Sequence, residues 1–65
     1  MDDKAAFELL GSDPRAMLID GRREEAAMVI GYEPRSGFFE LRLRNRIGEP
    51  ERRLRVHRDR VELAP

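Results

Sequence analysis

The stretch Phe38-Phe39-Glu40-Leu41-Arg42-Leu43-Arg44 decides the fold. Phe39, Leu41 and Leu43 point one way from an extended chain, while Phe38, Glu40, Arg42 and Arg44 point the other. An apolar face backed by a charged one is the pattern of an antiparallel strand with one side on a core and one in water. Residues 51–57 alternate in the same manner, with Leu54 and Val56 inward. A loop over 45–50 joins the two runs into a hairpin and fixes their register. Leu41 then lies opposite Leu54 and Phe39 opposite Val56, which forms the apolar face. On the outer face Glu40 meets Arg55, Arg44 meets Glu51, Phe38 meets His57, and Arg42 meets Arg53, with Leu43 and Arg52 at the rim.

Outward from this hairpin the chain alternates between strands and turn signals. Glu33-Pro34-Arg35-Ser36-Gly37 reads as a turn, with Pro for its second position and Gly available for positive φ. Residues 26–32 form a strand expected to place Met28, Ile30 and Tyr32 on one face, with Gly31 marking a bulge or sharp bend. Asp20-Gly21 is a strong hairpin dipeptide, and 16–19 is a short apolar strand before it. Val61 and Leu63 have the opposite parity from Leu54 and Val56, so the chain must kink across 57–60. At the N-terminus, residues 3–10 read as a short helix capped by Asp2 or Asp3 and ended by Gly11. Ala6, Phe7 and Leu10 are expected to share its packed face, and Ser12-Asp13-Pro14 breaks the chain direction. The whole chain, 1–65, is expected to be one mainly β domain: a helix and turn over 1–13, then a small five-stranded antiparallel barrel over 15–63.

Composition narrows the function classes. The chain has 65 residues and no Cys, which removes disulfides and thiolate chemistry together. Its single His, His57, is too few for a zinc site of ordinary type. Small domains that lack such staples need a partner subunit or unusually good packing, so a homo-oligomer is expected. No apolar run is long enough to span a membrane, and the N-terminus is acidic rather than basic, unlike a signal peptide. A cytoplasmic protein is the expectation. The net charge is zero, yet residues 1–33 carry eight acids against four bases and residues 34–65 nine arginines against five acids. Arg supplies twelve of the thirteen basic side chains, and Arg makes the planar, bidentate contacts to phosphate or carboxylate that Lys does not. A genome-wide Arg bias gives the same count.

Catalytic patterns are weak. Ser36, His57 and Asp59 are the one set resembling a nucleophilic triad, but no Gly-rich elbow accompanies them and Ser36 is a natural turn residue. Glu24 and Glu25 are adjacent and point to opposite faces of a strand. The glycines are isolated, so no phosphate-cradling loop is present, and Met17 and Met28 read as core. No enzyme and no cofactor are expected. The Arg-rich stretch (Arg42, Arg44, Arg46, Arg52, Arg53, Arg55, Arg58, Arg60) admits two readings. One is a solvated face paired within its own sheet. The other is an anion-binding face, carried by Arg42, Arg53 and Arg55 with Phe38 and His57 as an aromatic surface on which a nucleic-acid base stacks. Arg42 opposite Arg53 is the like-charge pair that needs a neutraliser, either a phosphate or Glu24/Glu25 of a neighbouring subunit. Ile47, in the polar loop, is either a docking hydrophobe or folds back.

A short helix followed by five bent strands resembles the Sm-like and SH3-like small barrels. Gly31-Tyr32-Glu33-Pro34-Arg35-Ser36-Gly37-Phe38-Phe39-Glu40-Leu41-Arg42-Leu43-Arg44 is similar to the passage from second to third strand of Sm-type domains. Arg52-Arg53-Leu54-Arg55-Val56-His57-Arg58-Asp59-Arg60-Val61-Glu62-Leu63 is similar to their last two strands. That ending also resembles bacterial WYL regulatory domains through Asp59-Arg60-Val61, although Phe38-Phe39-Glu40 replaces the tripeptide that names them. The second glycine of an Sm-type motif is replaced by Ala26 or Ala27. The resemblance implies assembly through exposed strand edges and binding of nucleic acid or a small regulatory ligand. Two functions remain open from the sequence: a small-barrel module that binds single-stranded nucleic acid or another anion, and an adaptor that self-associates or docks a protein partner.

Overall fold

Two bulges in one long strand shape this sheet. The computed structural model describes residues 1–44, 48 and 50–65. The expectations for Asn45, Arg46, Ile47 and Glu49, and so for the loop over 45–50, lie outside the described residues. The elements are α1 (Asp3–Leu9), β1 (Arg15–Ile19), β2 (Arg22–Glu33), β3 (Phe38–Leu43), β4 (Arg52–His57), a 3-10 turn (Arg58–Arg60) and β5 (Val61–Leu63). The strands form one antiparallel sheet in the order β4-β3-β2-β1-β5. The mainly β architecture, five strands and leading helix are as the sequence implies. Closure is not: β4 and β5 stand at the two edges of the sheet and pair with β3 and β1 alone among the described strands.

The β3–β4 ladder has the expected register, with Phe38 opposite His57, Phe39 opposite Val56, Leu41 opposite Leu54 and Arg42 opposite Arg53. Phe39, Leu41, Leu43 and Val56 are buried as the alternation requires. β2 departs from simple alternation. Its register slips against β1 between Arg15 and Met17, and against β3 between Val29 and Gly31. Each extra residue reverses which way the following side chains point and bends the strand. Ala27 and Val29 therefore face the core, Met28 faces out, and Tyr32 turns inward again opposite Phe39. The expected grouping of Met28, Ile30 and Tyr32 is corrected to Ala27, Val29 and Tyr32. Ile30 is 36% exposed, and the outward Met28 lends its sulfur to Arg42 Nη2 at 3.4 Å.

The turns follow their chemistry. Asp20 and Gly21 both have positive φ, 51° and 79°, which suits a two-residue hairpin whose twist matches its strands. Gly37, at φ 76°, closes the β2–β3 turn through its N–H to Glu33 O at 2.8 Å. The kink across 57–60 is the 3-10 turn, after which Val61 is buried at the corner.

Asp2 caps α1, its Oδ1 accepting from Ala5 N–H at 2.8 Å. The helix packs through Ala6 and Leu9, while Phe7 and Leu10 are exposed. That corrects the expected face, because the helix ends at Leu9 and Leu10 is its extended C-cap, with ψ 126°, so it leaves the face that Ala6 and Leu9 share. Phe7 still reaches the sheet, edge-on to Tyr32 at 5.3 Å, and Tyr32 in turn lies tilted on Phe39 at 4.8 Å. The open sheet leaves a trace in burial. Leu54 on β4 and Leu63 on β5 carry inward parity, yet Leu54 is half-buried and Leu63 is 45% exposed.

Candidate functional site

The outer face of the β3–β4 hairpin collects all five residues singled out in the sequence: Phe38 and Arg42 from β3, and Arg53, Arg55 and His57 from β4. Alternation puts them there, and the register sorts them into two groups along the strands. At one end lie Arg42 and Arg53, at the other Phe38, Arg55 and His57, with Glu40 between.

The Arg42/Arg53 end is neutralised within the chain. Glu51 lies 3.1 Å from Arg53 Nε and 3.6 Å from Arg42 Nε, and Glu40 Oε1 is 3.8 Å from Arg53 Nη1. The sequence places Glu51 opposite Arg44, but β4 begins at Arg52 and β3 ends at Leu43. Freed from the ladder, the Glu51 side chain settles between two guanidinium groups. Between Arg42 and Arg53, where a phosphate or a neighbouring subunit was expected, stands a carboxylate of the same chain. Glu24 and Glu25 are also engaged at home, Glu24 with Arg52 at 2.9 Å and Glu25 with Arg23 at 2.7 Å.

The complementary halves of the sequence meet inside one chain. Asp3 pairs with Arg58, Asp20 with Arg60 at 3.6 Å, and Glu24 with Arg52. The first of these is a three-group cluster. Tyr32 donates its hydroxyl hydrogen to Asp3 Oδ1, and Arg58 Nη1 donates to both Asp3 Oδ1 and Tyr32 Oη, the latter at 3.0 Å. The Asp3 carboxylate favours the protonated phenol and raises the Tyr32 pKa above its ordinary value, with partial desolvation acting in the same direction. Hydrogen bonding to Tyr32 raises Arg58 further. This cluster ties α1 to β2 and the 3-10 turn.

The Phe38 end differs. The Arg55 guanidinium lies 4.5 Å from the Phe38 ring centroid, and the His57 ring meets Phe38 edge-on at 5.4 Å. No carboxylate pairs with Arg55 among the described ion pairs, because Glu40, directly opposite it, leans to Arg53. His57 is held by its neighbours: Nδ1 accepts from Asp59 N–H at 3.1 Å, which assigns the hydrogen of the neutral ring to Nε2. Gly37 makes room for that ring, since a Cβ there would come 2.7 Å from His57 Nε2.

This end overlooks a groove of about 540 Å³ along the free edge of β4. Phe38, Leu54 and Val56 supply its apolar wall, and Arg55, His57 and Arg60 its basic one, with Asp20 and Asp59 at the corner. Asp20 and Arg60 were not legible as site residues. They reach β4 through a contact between the β1–β2 turn and the 3-10 turn, where Asp20 N–H donates to Arg60 O at 2.9 Å.

Of the triad-like set, His57 and Asp59 come together, Nδ1 lying 3.5 Å from Asp59 Oδ2, but Ser36 is engaged in its own turn. Ser36 Oγ donates to Glu33 O and accepts from Phe38 N–H, each at 3.4 Å, and no described hydrogen bond joins it to His57. Among the described residues no three His, Asp or Glu side chains gather to hold a metal ion, and no helix is long and apolar enough to cross a membrane. No family model, curated protein or solved structure matches this chain.

Proposed function

We propose that this chain is a non-enzymatic interaction module of the Sm-like or SH3-like small-barrel type that binds single-stranded nucleic acid through the outer face of its β3–β4 hairpin. The observation that carries the reading is Arg55. It is stacked on Phe38, has no carboxylate partner among the described ion pairs, and stands beside His57 at the mouth of the β4 groove. A cation on an aromatic offers a phosphate a counter-charge and a base a stacking surface in one place. Arg42 and Arg53 then serve as a secondary contact, reached when a phosphate displaces Glu51. The strand order and the 3-10 turn before a short last strand support the small-barrel type. Anisotropy of labelled single-stranded RNA or DNA, at low and at moderate salt, tests the reading. Binding that weakens steeply as salt rises and is lost in Arg55→Ala is the expected result, and no binding at low salt overturns it.

A second reading, self-association, draws on the open edges. β4 and β5 are unpaired on their outer sides among the described strands, and the inward-parity residues Leu54 and Leu63 stay partly exposed there. Strand edges of this kind invite pairing with another chain. Light scattering coupled to size-exclusion chromatography decides it, a monomer at working concentration being the adverse outcome.

A further inference from the structure

Phe38 and Arg55 also border a second, smaller cavity on the β2 side of their stack, about 230 Å³ in volume. Gly31, Tyr32, Glu33, Phe39 and Glu40 complete its wall. Gly31 sits in the β2 bulge directly opposite Glu40, and its lack of a side chain leaves space above it. A Cβ at that position would lie 3.6 Å from Glu40 Cβ and 3.7 Å from Glu40 Oε2, so the carboxylate reaches over the glycine. Oε1 leans to Arg53 at 3.8 Å. The arrangement is an aromatic–guanidinium stack with an acceptor-only group beside it.

Resting on the nucleic-acid reading above, we propose that this cavity reads the base and selects guanine. A carboxylate accepts hydrogen bonds and donates none. In a single strand the Watson–Crick edge of each base is free to be read while its face stacks on an aromatic ring or an Arg plane. Guanine presents two adjacent donors on that edge, N1–H and the 2-amino group, and so engages both oxygens of one carboxylate. Adenine and cytosine each present one amino donor next to a ring-nitrogen acceptor. Uracil presents one N–H between two carbonyl oxygens, which a carboxylate repels. Glu40 thus discriminates at the base, while Arg55 supplies the counter-charge for the adjoining phosphate. Glu40 and Arg55, which has no carboxylate partner among the described ion pairs, have complementary tasks in one site.

The test compares labelled oligouridylates of about eight nucleotides, a length within the span such surfaces cover, carrying one central G, A, C or inosine, or none. The G-containing strand is expected to bind at least about fivefold more tightly than all-U. Inosine, which keeps N1–H and lacks the amino group, should fall between them. In Glu40→Gln the preference for G should collapse while the all-U strand binds more tightly, because a negative charge has left the face. Equal affinities for all five strands, or a preference for A or C, overturn the guanine assignment and leave the nucleic-acid reading standing. No binding by any strand overturns both.

Discussion

The inner and outer faces of the β3–β4 hairpin share one backbone ladder and are held by different forces. Inside, Phe39 and Leu41 are fully buried and Val56 nearly so, at 0%, 0% and 5% exposure. Burial of side chains of that size stabilises by about 1.5–3 kcal/mol each. Outside, Arg42, Arg53, Glu40 and Glu51 pair at 3.1–3.8 Å with much of each side chain in water, where an ion pair contributes about 0–1 kcal/mol. The fold therefore depends on one face and leaves the other available for binding. On the proposed reading, substitutions outside should change oligonucleotide binding far more than folding.

The largest effect should come from the inside. Phe39→Ala removes a fully buried ring that also carries Tyr32, and a loss of about 3–5 kcal/mol is expected in chemical denaturation. A loss below about 1 kcal/mol would erase the contrast between the faces. Gly37→Ala comes next. It strains a positive φ and drives a Cβ to 2.7 Å from His57 Nε2, with an expected cost of about 1–3 kcal/mol. Gly31→Ala, where the nearest atom is 3.6 Å away, should stay within about 0.5 kcal/mol of the parent. Similar losses at the two glycines would show that the β2 bulge needs glycine for a reason other than space.

Outer-face substitutions sharpen the comparison from the other side. Glu51→Gln removes the charge between Arg42 and Arg53. Stability should fall by less than about 1 kcal/mol, while affinity for a single-stranded oligonucleotide rises and its salt dependence steepens. A large stability loss with no change in binding would make this pair structural. The smallest effect is spectroscopic. The Tyr32 phenol should ionise above the ordinary tyrosine range in an ultraviolet titration, and Asp3→Asn should bring that midpoint down. Because the folded pKa is raised, the stability this group contributes is present in full below the unfolded value. It is lost as pH climbs through the folded one. A midpoint unmoved by Asp3→Asn would remove Asp3 as the cause.

Where the reading from sequence succeeded and failed follows local chemistry. The Phe38–His57 pairing was legible because an apolar face leaves a hairpin one register that buries it. Asp20-Gly21 and the kink before Val61 were legible because positive φ and a parity change each demand a specific backbone. β2 was misread beyond its bulges: Gly31 signalled a bulge, but continuing the alternation through it put Met28 and Tyr32 on the same face. The candidate site divides in the same way. Its five residues share a face because alternation dictates it, but which arginine lacks a carboxylate depends on how far Glu40 and Glu51 lean along the sheet.

The sequence by itself determined the hairpin, its register and the split between an apolar and an Arg-rich face, since period and turn residues act over a few neighbouring positions. The tertiary structure alone decided that the sheet stays open between β4 and β5 and that acids of the first half neutralise arginines of the second within one chain. Of the three candidate-site arginines, it left Arg55 on Phe38, rather than Arg42 or Arg53, without a carboxylate partner among the described ion pairs. Those outcomes depend on long side chains meeting across strands far apart in sequence, and alternation is silent on where a guanidinium comes to rest.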